Sequence, residues 1–420
     1  MTNSDKQFTG YEWLLIDIAN NHYDDLDKLA FEYRIEWTKA NIDSLELEVF
    51  VKEWKTQPQY VKAVMALRKA QYGDPTGHLV GVDATCSGAQ IMSVLTNCHT
   101  GAESTGLVNP NRRADLYTDC TADMNNNEGI NVDVPRADIK QALMTVLYGS
   151  EAQPKKIFGE GTKELELFYK TVQKLVPGAV RLLNVLRNSW QPMALKHSIE
   201  LPDGFHAHLP VMAENQAKIE IDELAHSTFQ FVWQDNLGAE KGLSNIANAV
   251  HATDAYVLRS VIRRCNYDEE LLNWAQYKLG EVLLYRGLDD ELAYNSDPDV
   301  SRFIDLYQRT GMADIVILNH LCDDSISGLS TSHAKKLLNI VDSMLAHKSF
   351  PVMTVHDAFY SHPNNVNDVR KHYKNILAEL AESKLLDSIL TDLYGHECHF
   401  EPMDSQPLGN KIRASQYALC

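Results

Sequence analysis

Apolar positions recur every three to four residues along most of the chain, and that spacing predicts helices. Over the first seventy residues it predicts helices near 10–20, 31–41 and 59–71, the last ending at the Gly73-Asp74-Pro75 turn. Residues 78–82 form a short apolar run of the kind a buried strand shows. Asp133-Val134-Pro135 predicts a helix start, with Asp as N-cap and Pro in the first turn, and Gly149 a stop after Tyr148. Residues 164–190 are strongly amphipathic, with a kink expected at Pro177. Residues 193–212 alternate about Pro202-Asp203-Gly204, which predicts a hairpin. A helix near 244–264, three or four more across 266–348, a strand–turn–strand at 350–360 and a helix at 364–384 complete the pattern. The expected class is α+β, α-rich, with a small sheet.

Composition narrows the reading. At 420 residues, 44 % of them apolar, the chain can bury two or three cores. It has no run of eighteen apolar residues, so no membrane span is expected. Met1-Thr2-Asn3-Ser4-Asp5-Lys6 lacks an apolar stretch and does not read as a signal peptide. Seven cysteines without a paired CxxC read as reduced thiols, hence a cytoplasmic location. The net charge of −18 opposes nucleic-acid binding unless cations gather in one cleft or a basic partner supplies them.

Three segments carry chemistry. In Val80-Gly81-Val82-Asp83-Ala84-Thr85-Cys86-Ser87-Gly88 an apolar strand ends in a carboxylate followed by small residues. Two-metal phosphoryl transfer needs carboxylates on rigid elements with open backbone beside them, although a lone strand-end Asp is more often a cap or turn residue. Arg136 and Lys140 lie one helical turn apart, with Tyr148-Gly149 eight residues beyond Lys140. Two such cations can grip a triphosphate, and the Tyr ring can meet a base or ribose; a solvated basic face is the plainer alternative. In Met353-Thr354-Val355-His356-Asp357-Ala358-Phe359 the Asp sits where a β-hairpin turns. Beside Asp83 it would complete a two-metal site; in isolation it reads as a surface-turn residue.

The order of these segments resembles that of the single-subunit RNA polymerases of bacteriophages and mitochondria. Asp83 to Gly88 resembles that family's Asp-Gly-x-Cys-Ser-Gly; Arg136-x-x-x-Lys140-x-x-x-Met144-Thr145-x-x-Tyr148-Gly149-Ser150 is similar to its second motif, and His356-Asp357-Ala358-Phe359 to its His-Asp-Ser-Phe. Gly10 to Asn20 with Asp27-Lys28, Asp115-Leu116-Tyr117, Pro202 to Phe205, Asn248 to Arg259 and Ser415 to Ala418 extend the likeness. The resemblance implies a right-hand palm and fingers with a small antiparallel palm sheet. It implies two magnesium ions on Asp83 and Asp357, aided by the carbonyl of Ala84. Arg136, Lys140 and Lys28 would hold the triphosphate. Tyr148, with Gly149, would position the incoming nucleotide, with His251 and Tyr117 near its sugar, and His356 would support the hairpin. DNA polymerases of the related palm carry a Glu where Gly88 stands here, and it blocks a 2′-hydroxyl; Gly88 leaves room, and His251 can offer the hydroxyl a partner.

Ala84 replaces the family's Gly, and Gln141 a basic residue. The family's N-terminal domain, thumb and Asp-x-x-Gly-Arg motif precede the stretch where this sequence starts, and none of them is found in it. The pattern resembles the heterodimeric polymerases of Enquatrovirus-type podophages, in which a smaller chain supplies the N-terminal domain and thumb. The expected organisation is 1–125 palm leading to the first carboxylate, 126–265 fingers, 266–340 a helical insertion, and 341–420 palm hairpin and C-terminal foot. The expected activity is DNA-directed RNA synthesis from NTPs onto an RNA 3′ end in the cytoplasm of a bacterial host, with DNA template, RNA product, a smaller subunit and a single-stranded-DNA-binding accessory factor as partners. A template-dependent DNA polymerase or primase fragment, and a non-catalytic polymerase-like scaffold, are the alternatives. His396-x-Cys398-His399 offers three metal donors without a second pair. Trp190, Trp233 and Trp274 are expected in the core, and Asp289-Asp290-Glu291 in a solvated loop.

Overall fold

The computed structural model describes residues 6–109, 111–127, 133–235, 244–286 and 297–420; the Asp289-Asp290-Glu291 run lies outside them. Thr9 and Glu12 form a reciprocal capping box that starts α1 (Gly10–Asn20). Next come α2 (Phe31–Ala40) and α3 (Gln57–Tyr72), which Gly73 closes in the left-handed region at φ +78°. β1 (Val80–Asp83) leads into α4 (Ser87–Leu95) and α5 (His99–Ser104). The next helices are α6 (Leu116–Asn125), α7 (Arg136–Val146), α8 (Ala152–Phe158), α9 (Lys163–Leu175) and α10 (Pro177–Asn188). Two hairpins follow, β2 (Lys196–Glu200) with β3 (His206–Pro210), and β4 (Ala213–Ile221) with β5 (Ser227–Asp235). Then come α11 (Ser244–Cys265), α12 (Glu269–Arg286), α13 (Pro298–Thr310) and α14 (Thr331–Leu345). β6 (Met353–Val355), β7 (Ala358–Ser361), α15 (Val366–Ala381), α16 (Leu385–Tyr394) and α17 (Gly409–Arg413) end the chain.

The described residues bury two hydrophobic clusters. In the larger, Trp13, Leu15 and Ile16 of α1 join Tyr60 and Leu67 of α3, Val80 and Val82 of β1, and Ile376 and Leu377 of α15. It therefore supports the small antiparallel sheet β1-β7-β6. The smaller runs from Leu272 to Met344 and is built by α12, α13 and α14 around Leu279, Ile304, Leu337 and Val341. None of the described helices is long and apolar enough to cross a membrane, and all seven cysteines are free thiols.

Three expectations need correction. The 164–190 stretch is two helices rather than one kinked helix: Val176 leaves the helical region at φ −136°, and Pro177, which has no N–H to donate, opens α10 instead. Pro135, not Asp133, caps α7. Trp233 is 37 % exposed on β5 rather than in the core. Trp274 packs half-buried against the smaller cluster, with its indole N–H donating to Asp323 Oδ1 at 2.9 Å, and Trp190 is half-buried. The β4–β5 hairpin went unforeseen, although β5 alternates Phe229, Phe231 and Trp233 with Thr228, Gln230 and Val232; only β4, which sets Ala and Ile among Glu, Gln and Lys, gives a weak signal.

Candidate active site

Strand pairing brings the two predicted carboxylates together. Val80 and Val82 face the core, so alternation turns Asp83 out into a cleft. In the antiparallel register Asp83 stands opposite Ala358, the residue after Asp357. The opposite edge is fixed as well: Asp83 N donates to Cys420 O at 3.1 Å, and Cys420 N donates to Asp83 O at 3.0 Å. Asp357 occupies the two-residue turn between β6 and β7, where His356 takes a left-handed φ of +54°. Desolvation in the cleft, then the charge of Asp357, pushes the Asp83 carboxyl up to about 6, against the pull of the Ala84 N–H, Lys140 and Lys28.

Cations line the facing wall. Asp115 caps α6 by accepting from the N–H groups of Tyr117 and Thr118. Arg136, first residue of α7, donates to Asp115 Oδ2 at 2.6 Å and to Thr118 Oγ1 at 3.0 Å. Burial would raise the Asp115 carboxyl, but Arg136 holds it below the usual range. The Arg136 and Lys140 charges lie 5.5 and 5.6 Å from the centre of the Tyr117 ring. Lys28 is paired with Asp27 at the near side. These groups line one cleft of about 520 Å³ with Asp83, Ala84 and Asp357.

Tyr148, Gly149 and His251 lie beside that cleft rather than in its lining. Gly149, at φ +88°, turns the chain after α7 toward Ile246 of α11. The rings of Tyr148 and His251 stack at 4.5 Å and 8°. A Cβ on Gly88 would come within 2.9 Å of the Tyr148 hydroxyl, so the space the glycine leaves open is held by that hydroxyl. Burial, then the charges of Asp254, Cys86 and Asp357, pushes the Tyr148 phenol up to about 12. Asp254, one turn after His251, is itself pushed up to about 6 by burial and by Asp357, against a hydrogen bond to Ser87.

Sequence reasoning gave no role to several groups here. Arg34, fully buried, donates to Leu29 O, Asn20 Oδ1 and Asp27 O, and so fixes the turn that carries Lys28. Buried Asp17 lies 2.7 Å from His78 Nε2 at the same cleft. Gln90 accepts from Tyr373 and donates to Thr105 O and Ala418 O, tying α4 to the C-terminal residues. No local pattern flags such long-range contacts; for Asp254, its placement one turn from His251 was the available signal. His399, one of the three donors of His396-x-Cys398-His399, is engaged by Asp387 at 2.7 Å. Among the described residues, the one group of three donors close enough for a metal is Glu220, Asp222 and His226, exposed at the β4–β5 tip.

The family model for DNA-dependent RNA polymerase matches residues 5–157, the stretch holding Asp83, Arg136, Lys140 and Tyr148. The mitochondrial DNA-directed RNA polymerase 1 of Arabidopsis thaliana is 29 % identical over 127 residues, which make up 27 % of this chain and 13 % of that relative. The aligned stretch is thus a small part of the relative's length, and residues 5–157, which include the cleft lining from Asp17 to Met144, are similar to DNA-dependent RNA polymerases.

Proposed function

We propose that the chain is the catalytic part of a DNA-directed RNA polymerase, joining NTPs to an RNA 3′ end on a DNA template. The observation that carries this reading is the meeting of Asp83, at the end of β1, and Asp357, in the turn that leads into its paired strand β7, in a cleft walled by Arg136, Lys140 and Lys28. The donor set fits magnesium: two hard carboxylate ligands line one cleft, and the upward push of Asp357 on Asp83 is the repulsion a divalent cation would relieve. Asp83 and Asp357, with the Ala84 carbonyl, would hold two ions. When bound, these supply charge for the attacking 3′-oxygen and the departing pyrophosphate.

The chain's own groups do the rest. Arg136 and Lys140 draw the triphosphate to the N-terminal end of α7, where the helix dipole also favours anions. Tyr117 and Lys28 bound its approach. Tyr148, fixed by His251 and seated over Gly88, senses the sugar. We assign 1–125 and 341–420 to a palm, 126–265 to fingers and 266–340 to a helical insertion, which the separate cluster from Leu272 to Met344 supports. The reading extends to the larger subunit of a split, Enquatrovirus-type phage enzyme in the bacterial cytoplasm, aided by a single-stranded-DNA-binding factor. An apolar groove of about 390 Å³ between residues 45–50 and α3 supports a second, smaller subunit: Val49, Val61, Met65 and Tyr72 line it, and Phe50 beside it is 83 % exposed.

The test is magnesium-dependent NTP incorporation on a primed DNA template. Asp83→Asn and Asp357→Asn should each reduce it by about 10³-fold or more, with an unchanged far-UV spectrum. Preference for dNTPs would favour the DNA polymerase alternative, and absence of any incorporation with the second subunit present would favour a scaffold.

A further inference from the structure

Among the described residues, five cations line the cleft that holds Asp83 and Asp357: Lys28, Arg34, Arg113, Arg136 and Lys140. Four of them are engaged. Lys28 pairs with Asp27, and Arg136 with Asp115. Arg34 donates to Leu29 O, Asn20 Oδ1 and Asp27 O. The Lys140 ammonium sits over the Tyr117 ring. Arg113 differs. Among the described residues no hydrogen bond or ion pair engages its guanidinium, and its Nε is closed off from solvent with no acceptor. An N–H left in that state is costly, and more so on a charged group. Burial, and with it the Arg113 charge, lowers the neighbouring Arg34 guanidinium against the pull of Cys420 and Asp27. Two like charges are therefore held near each other, and one of them carries an unengaged donor fork.

The missing partner is an anion, and its form follows from the surroundings. Arg113 stands two residues before Asp115, the N-cap of α6, which in turn holds Arg136 at the start of α7. All five cations converge on one cavity of about 520 Å³ instead of following a groove in a row. That arrangement suits a compact polyanion better than the spaced phosphates of a nucleic-acid backbone. We infer that Arg113 is a ligand of the polyphosphate tail: its fork donates to oxygens of the two outer phosphates of the incoming NTP and keeps that hold on the departing pyrophosphate. In that step the RNA 3′-oxygen bonds to the inner phosphorus while the bond from that phosphorus to the bridging oxygen breaks. The electron pair leaves with pyrophosphate, and the hydroxyl proton passes to solvent. The identity of the ligand rests on the polymerase reading; the need for a phosphate-like anion rests on the geometry alone.

The experiment compares the full chain with Arg113→Gln and Arg113→Lys. Isothermal titration with tripolyphosphate and magnesium gives a Kd without any need for catalysis. Incorporation on a primed DNA template gives KM for NTP, kcat and the inhibition constant of pyrophosphate. Arg113→Gln should weaken tripolyphosphate binding by about tenfold or more. It should raise KM and the pyrophosphate constant by a similar factor with kcat changed less, since the contact exists both before and after transfer. Arg113→Lys, a point charge without a fork, should recover part of each loss. Melting should stay the same or rise, because Arg113→Gln removes a charge near Arg34. Unchanged tripolyphosphate and pyrophosphate constants, a loss confined to the Kd of the primed template, or a lowered melting temperature would each overturn the inference. Tripolyphosphate binding that depends on Arg113 in a chain that incorporates no nucleotide would uphold the anion site and sink the polymerase reading instead.

Discussion

Tyr148 meets Gly88 foremost with its hydroxyl, and that contact sets the expectation for sugar choice. Tyr148→Phe should leave incorporation of rNTPs nearly intact while relaxing discrimination against dNTPs by about tenfold, the worth of one neutral hydrogen bond in a dehydrated site. Competition between labelled rNTP and dNTP on one template measures it, and an unchanged ratio would remove Tyr148 from sugar selection. A second residue-scale effect concerns stability. His333 is fully buried against Tyr307, ring centres 3.9 Å apart, and burial, then Lys336, lowers its imidazole to about 3. The folded chain therefore keeps it neutral while the unfolded chain takes up a proton below pH 6.5. Between pH 6.5 and about 3 the unfolded state binds more protons, so stability falls as pH falls, by up to about 1.4 kcal/mol per unit from this group. Denaturant titrations of His333→Phe should show a shallower loss over that window than those of the unaltered chain.

At the scale of elements, the last residues act as a strap on the site. Buried Arg370 of α15 donates to Leu419 O at 3.1 Å and to Gln416 O at 2.5 Å, and Lys374 donates to Ser415 O at 2.8 Å. These bonds hold Cys420 against Asp83, so the strand carrying the carboxylate is gripped from both sides. Arg370→Met should orphan two carbonyls, cost about 3 kcal/mol, and free the segment from β1. Amide hydrogen exchange at residues 80–84 should accelerate and incorporation should fall; protected amides in an inactive variant would argue that Arg370 acts elsewhere.

For the whole molecule, charge and apolar surface point to company. A chain at −18 holds a polyanionic template poorly over a broad surface. On the two-subunit reading proposed above, the groove beside α3 and the exposed Phe50 would take an apolar partner surface. The isolated chain is expected to elongate poorly, with activity restored by one more basic polypeptide across an interface above about 2,000 Å². Phe50→Ser/Met65→Ser should weaken that restoration without altering the chain's own melting. Full processive synthesis by the highly purified chain alone would end the two-subunit reading.

The sequence by itself located α1, α3, α11, α15 and the β2–β3 and β6–β7 hairpins, because helix periodicity and turn chemistry act over a few residues. Its motif strings also named Asp83, Arg136, Lys140 and Asp357 as one set, since their residue types and order are local text. It did not reveal that Val176 ends a helix, that Trp233 faces solvent, that Arg34 fixes the turn carrying Lys28, or that Gln90 ties α4 to the C-terminal residues. Those depend on which surfaces meet. The closeness of Asp83 to Asp357 was decided only when β1 paired with β7 and Cys420 closed the other edge, because backbone pairing between distant segments is set by packing of the shared core and leaves no periodic trace in either segment alone.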